Sequence, residues 1–484
     1  MGEPPRALDT ESLTNAVPVN AFHVRVAILG ALVLFWDGFN TQVIGYITPE
    51  LARHWQIPHD MLGPIFSAGL AGVLVGQLGV APLSARFGSK WVIIACTAGF
   101  GALTFLTTYA VNANLLIVFR FLTGIGLGGA QPVAAALIAE YCPKRHRSTF
   151  LVFGNCGVTF GSMGAGVLAA ALLGRSGWQS VLWVGGALPL CYALFLVVAL
   201  PESLAYLANG GRNSRRLLRL LGRTAPGTSA TNGPWLPAGA KRRGLSAIGE
   251  LFLAGRTTGT LALWCGLFMN MMVYYFVQNW LTTVLVEAGQ DPQTAITVSL
   301  AVQVGGILAA FFVGPLMDRL DPYKVLGCLF CAASGCMVLM GAAIALPPPF
   351  AIAAAFCVGF CLLGLMKGVI ALAVVYYPVT LRPAGVGWAL GMGRTGAIIG
   401  PMAAGLLLGL GLKTPWLFYL SAGPMLIGAG AMLALCLRYG KGRNAATAWT
   451  PIAGQTSAAM AASPQNAVFL PVTPAKLDRA SVPQ

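Results

Sequence analysis

The sequence predicts an all-α integral membrane protein with twelve transmembrane helices arranged as two six-helix bundles. Three observations lead to this fold class: the share of apolar residues, the apolar runs, and a likeness between the two halves of the chain. Of the 484 residues, 57% are hydrophobic and only 9% are charged. Soluble domains are roughly 25% charged. A chain with so few charges could not cover a water-facing surface, so we expect it to lie in a bilayer.

Twelve apolar runs have the length of a membrane span, which is about 20 residues. The first run is too long for the apolar core of a signal peptide and has no small-residue cleavage site, so we count it as a span. Numbered as spans 1 to 12, the runs cover residues 24–48, 61–83, 91–111, 115–139, 149–173, 179–200, 258–286, 293–317, 323–345, 349–377, 384–411 and 415–438.

One long polar stretch divides the runs into two sets of six. We therefore predict an N-terminal segment at 1–23, a first bundle at 24–200, a linker at 201–257, a second bundle at 258–438 and a tail at 439–484. The tail is rich in Ala, Ser, Thr and Pro and is predicted to be disordered. The linker is basic and holds Arg212, Arg215, Arg216, Arg219, Arg223, Lys241, Arg242, Arg243 and Arg256.

The positive charge follows the loops between the apolar runs. A formal net charge of +16 could suggest nucleic acid, but basic residues cluster in alternate loops, as the positive-inside rule expects of cytoplasmic loops. We therefore predict no nucleic-acid partner and two cytoplasmic termini. The loops and the exit that carry this charge hold Arg86, Lys90, Lys144, Arg145, Arg147, Arg319, Lys324, Arg438, Lys441 and Arg443.

Enzyme chemistry has little support in the sequence. The eleven cysteines lie mostly in apolar runs without metal-ligand spacing, which is typical of small buried hydrophobes. The four histidines lie near helix ends or loops, and no nucleophile is paired with a base. We predict no catalytic residue, no metal and no cofactor.

The two halves carry similar segments at corresponding places. "APLSARFGSKWV" at 81–92 follows span 2, and "GPLMDRLDPYKV" at 314–325 follows span 8. Parallel six-helix repeats are typical of transporters that bind their substrate between the repeats, near the middle of the bilayer.

Four longer strings carry a family resemblance. They are "DGFNTQVIGYITPEL", "RFLTGIGLGGAQP", "YFVQNWLTTVL" and "YYPVTLRPAGVGWALGMGRTGAIIGP". With them the chain resembles the major facilitator superfamily from about residue 22 to 440, and more narrowly its aromatic acid:proton symporter family. The resemblance implies a bacterial inner-membrane importer. It would carry an aromatic carboxylate of the benzoate, hydroxybenzoate or phenylpropionate type with protons, by alternating access.

The chain departs from the family pattern at three places. Asn40 stands where the family has a second acid in span 1, which leaves Asp37 as the single proton carrier there. Ala85 and Ser89 replace an Asp and an Arg in the loop after span 2, which weakens the inner gate of the first half. Asp318 and Arg319 keep the equivalent pair in the second half. The predicted gating residues are Arg86, Arg147, Asp318, Arg319 and Arg382.

Ionisable residues inside spans are functional hypotheses because charge in hydrocarbon is costly. Asp37 lies roughly 20 Å from the inner start of span 1 and is our candidate proton carrier; a permanent ion pair is the alternative. Arg120 belongs to an outer vestibule or the proton path, unless it only reaches toward the interface. Glu140 completes the proton-coupling set, and we favour a gate salt bridge with Arg147 or Arg382 for it.

Two cations are candidates for the substrate anion. Arg394 offers a planar fork that fits a carboxylate, and it could equally hold Asp37. Lys367, near the middle of span 10, could contact a second acidic group on the substrate. A lysine paired with Asp37, or one that reaches into an aqueous cavity, would explain the same residue.

Neutral side chains complete the predicted site. Asn270, Tyr274 and Gln278 follow one stripe of span 7, with Tyr275 and Asn279 on the next stripe, although such stripes also serve packing. Gln131 and Tyr376 are weaker additions. The full substrate-binding prediction is Arg394, Lys367, Tyr274, Gln278, Asn279, Gln303, Trp388, Gln42 and Asn40.

Glycine pairs four residues apart are expected where helices pack closely, because in lipid packing replaces the hydrophobic driving force. The pairs are Gly72–Gly76, Gly157–Gly161, Gly387–Gly391 and Gly396–Gly400.

The predicted partners are a small organic anion, protons and membrane lipid, and the predicted state is a monomer. Three alternatives remain at this point. The chain could carry other organic acids or dicarboxylates, export acids or drugs on the same fold, or bind a ligand as a sensor without transport.

Overall fold

The computed structural model describes residues 19–209, 246–253, 255–378 and 381–439, with short pieces at 8–9, 220 and 235–236. Most of the predicted N-terminal segment, most of the basic linker and the tail after Tyr439 lie outside the described residues. Two short stretches, Leu8–Asp9 and Trp235–Leu236, pair as parallel strands. The other regular elements of the described residues are helices.

Each long helix corresponds to the predicted span of the same number, so we label these helices α1 to α12. One continuous stretch, Arg147–Ala199, supplies both α5 (147–176) and α6 (178–199) because it breaks at Gly177. The others are α1 Ala21–Trp55, α2 His59–Phe87, α3 Ser89–Thr107, α4 Ala113–Tyr141, α7 Thr257–Glu287, α8 Pro292–Arg319, α9 Pro322–Ala343, α10 Pro348–Tyr376, α11 Arg382–Gly409 and α12 Thr414–Tyr439.

The span prediction is confirmed by these helices. By length and composition, ten helices of the described residues can cross a membrane, with α5 and α6 taken as one. The 28-residue α11 falls outside that set; its length still suits a span, and it is the helix that carries Arg382 and Arg394. The protein is therefore a multi-pass membrane protein.

Local signals fix where several helices begin and where one breaks. Asp291 and Asp321 each cap a helix by accepting a backbone N–H, and a proline follows each as the first helical residue. Gly177 has φ 72°, a left-handed conformation that glycine adopts without a side-chain clash. This glycine separates the two spans of the 53-residue stretch.

The two halves pack in the same pattern. In the first half α1 packs against α5, α2 against α4, and α3 against α6; in the second half α7 packs against α11, α8 against α10, and α9 against α12. The contacts between the halves repeat as well, since α2 meets α11 and α5 meets α8. This repetition is what the similar segments in the sequence predict. The exact domain boundaries stay a prediction.

Glycines allow the closest helix approaches. A Cβ added to Gly161 would overlap the Phe35 carbonyl oxygen of α1, and one added to Gly400 would overlap the Met272 carbonyl oxygen of α7. Three of the predicted glycine pairs lie in such contacts. Gly387 and Gly391 do not, because an added Cβ there would meet nothing within 4 Å. The prediction for this fourth pair is wrong in this conformation.

The halves meet at the ends of their helices that lie opposite to the chain termini. His59 on α2 and Glu287 on α7 form an ion pair with 3.3 Å between Nδ1 and Oε1. Gln293 on α8 donates from Nε2 to the Ala170 carbonyl oxygen on α5 at 2.8 Å. At the inner end of α11, Trp388 is 40% exposed. The side opposite to the termini is therefore closed, and the end of α11 on the side of the termini is open.

Candidate functional site

Arg394 links the two halves near the middle of the bundle. Its Nη1 donates to the Tyr275 hydroxyl on α7 at 3.0 Å, and its Nη2 donates to Gln131 Oε1 on α4 at 2.9 Å. Gln77 on α2 donates to the same Gln131 oxygen at 3.1 Å. These partners are all neutral, and Arg394 is only half-buried. A carboxylate is a stronger partner for a guanidinium and could displace them.

Asp37 lies close enough to Arg394 for the two charges to interact, although they do not touch. The carboxylate is 5% exposed, and Arg394 is the charged group that acts on it most strongly. No basic side chain of the described residues lies within 4 Å of it. A permanent Asp37 ion pair is therefore not present in this structure.

Arg120 is buried, with 3% of its surface exposed, and does not reach toward the interface. Its Nη2 donates to the backbone carbonyl oxygen of Asn40 at 2.9 Å. Its Nε and Nη1 have no hydrogen-bond partner among the described residues. The guanidinium thus points into the interior of the first half.

Asn40 turns away from Arg394. Its side-chain oxygen accepts from the Thr104 hydroxyl on α3 at 2.6 Å, and its amide donates to the Trp36 carbonyl oxygen at 3.1 Å. The side chain is fully buried. The structure therefore does not bring Asn40 together with the other predicted substrate residues.

Lys367 is exposed, whereas its place near the middle of span 10 suggests burial. Its Nζ donates to the Gly306 carbonyl oxygen on α8 at 3.1 Å, and Cys156 on α5 is its electrostatic neighbour. It does not pair with Asp37. Contact with a second acidic group of the substrate stays a prediction, which a Lys367→Ser variant would test by comparing binding of monoanions and dianions.

Four of the neutral candidates gather where α1, α7 and α8 meet. Gln42 donates from Nε2 to the Gln278 carbonyl oxygen at 2.9 Å, and Tyr274 lies beside Gln303. All four are buried. Two other candidates are placed differently: Asn279 donates to the Tyr275 carbonyl oxygen within α7, and Trp388 stacks on Trp264 with 6.2 Å between ring centroids.

The predicted gate residues are not joined in ion pairs with one another. Glu140 accepts from the Ser203 hydroxyl at 3.1 Å and from the Ala205 amide, rather than from Arg147 or Arg382. Asp318 and Arg319 are both exposed, and the Arg86 guanidinium lies 5.4 Å from the Phe87 ring centroid. Gating by these residues stays a prediction.

The sequence prediction underrated the neutral partners of Arg394. The sequence pattern gives Gln131 only as a weaker addition, puts Tyr275 on a neighbouring stripe and does not single out Gln77. An amide inside an apolar span is a usable signal because a buried polar group needs a partner. The sequence does not say which helix supplies that partner.

The family model described as Major Facilitator Superfamily matches residues 30–366 and 263–472 of this chain.

The chain belongs to the major facilitator superfamily. Among its relatives is the 4-hydroxybenzoate transporter PcaK of Pseudomonas putida, 36% identical over 407 residues, which covers 84% of this chain and 91% of the relative. Another is the gallate transporter of Pseudomonas putida, 36% identical over 432 residues, which covers 88% and 95%. These relatives are transporters and not enzymes.

The solved structures agree with this membership at the level of the fold. The xylose transporter XylE from E. coli, in its inward open conformation, superposes with a TM-score of 0.67 at 15% identity. The match covers 85% of this chain and 96% of XylE. At that identity the likeness shows the fold alone.

Proposed function

We propose that this major facilitator protein imports a small aromatic carboxylate with one or more protons across the bacterial inner membrane, by alternating access. Relatives at 36% identity are named for 4-hydroxybenzoate and gallate. The observation that carries the proposal is Arg394, a half-buried cation between the halves that is bound only to neutral oxygens. Both termini are cytoplasmic in this proposal, and the protein acts as a monomer.

Arg394 would hold the substrate carboxylate. Its two terminal nitrogens already point at two separate oxygens, so the fork can accept the two oxygens of a carboxylate once Tyr275 and Gln131 give way. The aromatic ring would then lie against Tyr274 and the amides of Gln42, Gln278 and Gln303.

Asp37 would carry the proton. When Asp37 is ionised, it attracts Arg394 and competes with the substrate anion. Protonation removes that attraction and leaves the guanidinium for the carboxylate. Since Asn40 cannot carry a proton in this way, Asp37 would be the single proton carrier of span 1.

The closed outer side fits a state that releases substrate inward. The gate prediction places salt bridges of Glu140 and of Asp318–Arg319 in the opposite, outward-facing state. In the described residues these gate residues form no ion pairs with one another, which agrees with the inward-releasing state. Rocking of the two halves would form and break these contacts.

Replacement of the proton carrier tests the proposal. In proteoliposomes, the wild-type protein should accumulate labelled 4-hydroxybenzoate when the proton gradient points inward. Asp37→Asn should abolish accumulation but keep counterflow exchange, because exchange needs no net proton movement. Accumulation that survives in Asp37→Asn would show that the proton role is wrong.

Two further outcomes separate the alternatives. An exporter would concentrate substrate in everted vesicles rather than in right-side-out ones. A sensor would bind 4-hydroxybenzoate but show neither accumulation nor counterflow.

A further inference from the structure

We propose that Arg120 holds a small monovalent inorganic anion, a halide such as chloride, in a small cavity beside α4. The cavity lies between α1, α2, α4 and α7. Arg120 lines it together with Thr41, Phe66, Gly69, Leu70 and Asn279. This site uses a different cation from the Arg394 site and does not depend on which organic substrate the protein carries.

The charge of Arg120 has no counter-charge among the described residues. The side chain is 3% exposed, and its one named partner is the backbone oxygen of Asn40. Its Nε and Nη1 have no partner, and no carboxylate lies within 4 Å. A guanidinium keeps its proton in proteins. A buried charge without a partner is strongly unfavourable, so an anion at this place would be stabilising.

Neighbouring side chains do not supply that anion. Asp37 interacts electrostatically with Arg394. Asn40 presents a neutral amide, and that amide is already bound to Thr104 and Trp36. The residue that contacts Arg120 therefore offers it a backbone oxygen and carries no negative charge.

The size of the cavity limits the anion. Its volume is about 10 Å³, which by this measure is the room of one water molecule or a small ion. Phosphate, sulfate and an aromatic carboxylate are too large for it. Phe66 and Leu70 give it apolar walls, which favour a weakly hydrated halide over a strongly hydrated anion.

Thermal unfolding of the purified full-length protein tests this site. Chloride should raise the midpoint temperature in a saturable way when it replaces gluconate at constant ionic strength, because a ligand of the folded state stabilises it. Bromide should act in the same way. An equal midpoint in chloride and gluconate at all concentrations would show that the cavity holds only water and would overturn the proposal.

Two separate glycine substitutions provide a test variant and its matched control. A Cβ on Gly69 would lie 3.8 Å from Arg120 Nη2, so Gly69→Ala puts a methyl group into the cavity without a clash. We expect it to raise the half-maximal chloride concentration by about tenfold or more, because the methyl group takes room that the anion needs. Gly99→Ala adds a methyl that meets nothing within 4 Å and should keep the wild-type response. An unchanged response in Gly69→Ala would overturn the proposal.

A second variant supplies the missing charge. Asn40→Asp would put a negative charge on the residue whose backbone oxygen binds Arg120, so the chloride response should weaken. A chloride response of wild-type size in a folded Asn40→Asp protein would count against the site. Competition between chloride and 4-hydroxybenzoate for binding would also overturn it, since Arg120 would then hold the substrate carboxylate.

Discussion

At the scale of single residues, the site combines one buried carboxylate with cations that are not neutralised by it. Asp37 interacts with Arg394 without an ion pair, and Arg120 is buried without a counter-charge. A cleft with an excess of positive charge attracts anions and raises their local concentration. This balance suits a carrier of carboxylates better than a carrier of neutral solutes.

The fork of Arg394 leads to a prediction about substrate affinity. Arg394→Gln should raise the KM for 4-hydroxybenzoate uptake by roughly ten- to a hundredfold, the effect of one charged hydrogen-bonding group. Arg394→Lys keeps the charge but loses the planar fork, so its KM should lie between the two. Initial uptake rates in proteoliposomes measure this.

Tyr275→Phe is the control for that series. It removes a neutral partner of Arg394 and leaves the guanidinium in place, so its KM should change less than in Arg394→Lys. A wild-type KM in Arg394→Gln would mean that the carboxylate binds elsewhere.

At the scale of helices, the fold depends on glycine contacts that pair the same helices in each half. Gly38 and Gly161 bring α1 and α5 together, and Gly396 and Gly400 do so for the equivalent α7 and α11. In each case an added Cβ would overlap a backbone oxygen of the other helix. Helices in lipid associate through such close packing, so these contacts carry much of the stability of each bundle.

A pair of glycine variants tests this at the α1–α5 contact. Gly161→Ala should destabilise the protein by about 1–3 kcal/mol because its methyl group forces the helices apart. Gly335→Ala on α9 adds the same methyl where nothing lies within 4 Å and should be neutral or slightly stabilising. Thermal unfolding in one detergent compares them; equal midpoints would show that the α1–α5 contact tolerates a wider spacing.

At the scale of the whole molecule, the closure of the two halves on the side opposite to the chain termini defines the conformation. The closure consists of helix contacts between α2 and α11 and between α5 and α8, together with the His59–Glu287 ion pair. The pair is ionic only when His59 is protonated. Its loss should shift the population toward states that open outward.

Glu287→Gln tests the contribution of this pair. We expect labelling of a cysteine placed at Gln293 by a membrane-impermeant reagent to become about twofold faster, since exposed ion pairs contribute little each. Glu50→Gln is the control, because Glu50 faces Arg53 and His54 of its own half. Faster labelling in both variants would indicate a general loosening and not the loss of this pair.

The sequence by itself determined the fold class, the twelve spans and the identity of most charged candidates. These features depend on local properties: the length of an apolar run and the cost of charge in hydrocarbon. Asp37, Arg120 and Arg394 could be singled out for the same reason. Three of four glycine pairs were found because close packing in lipid requires small residues.

Tertiary structure alone decided what each side chain meets. Gln131 and Tyr275 bind Arg394, Asn40 turns to Thr104, and Glu140 binds the segment after α6. The sequence does not encode such contacts locally, since each depends on how helices far apart in the chain are rotated and shifted against one another. The open inner end around Gly387 and the uncompensated charge of Arg120 have the same origin. Both arise from the relative placement of helices in one conformational state.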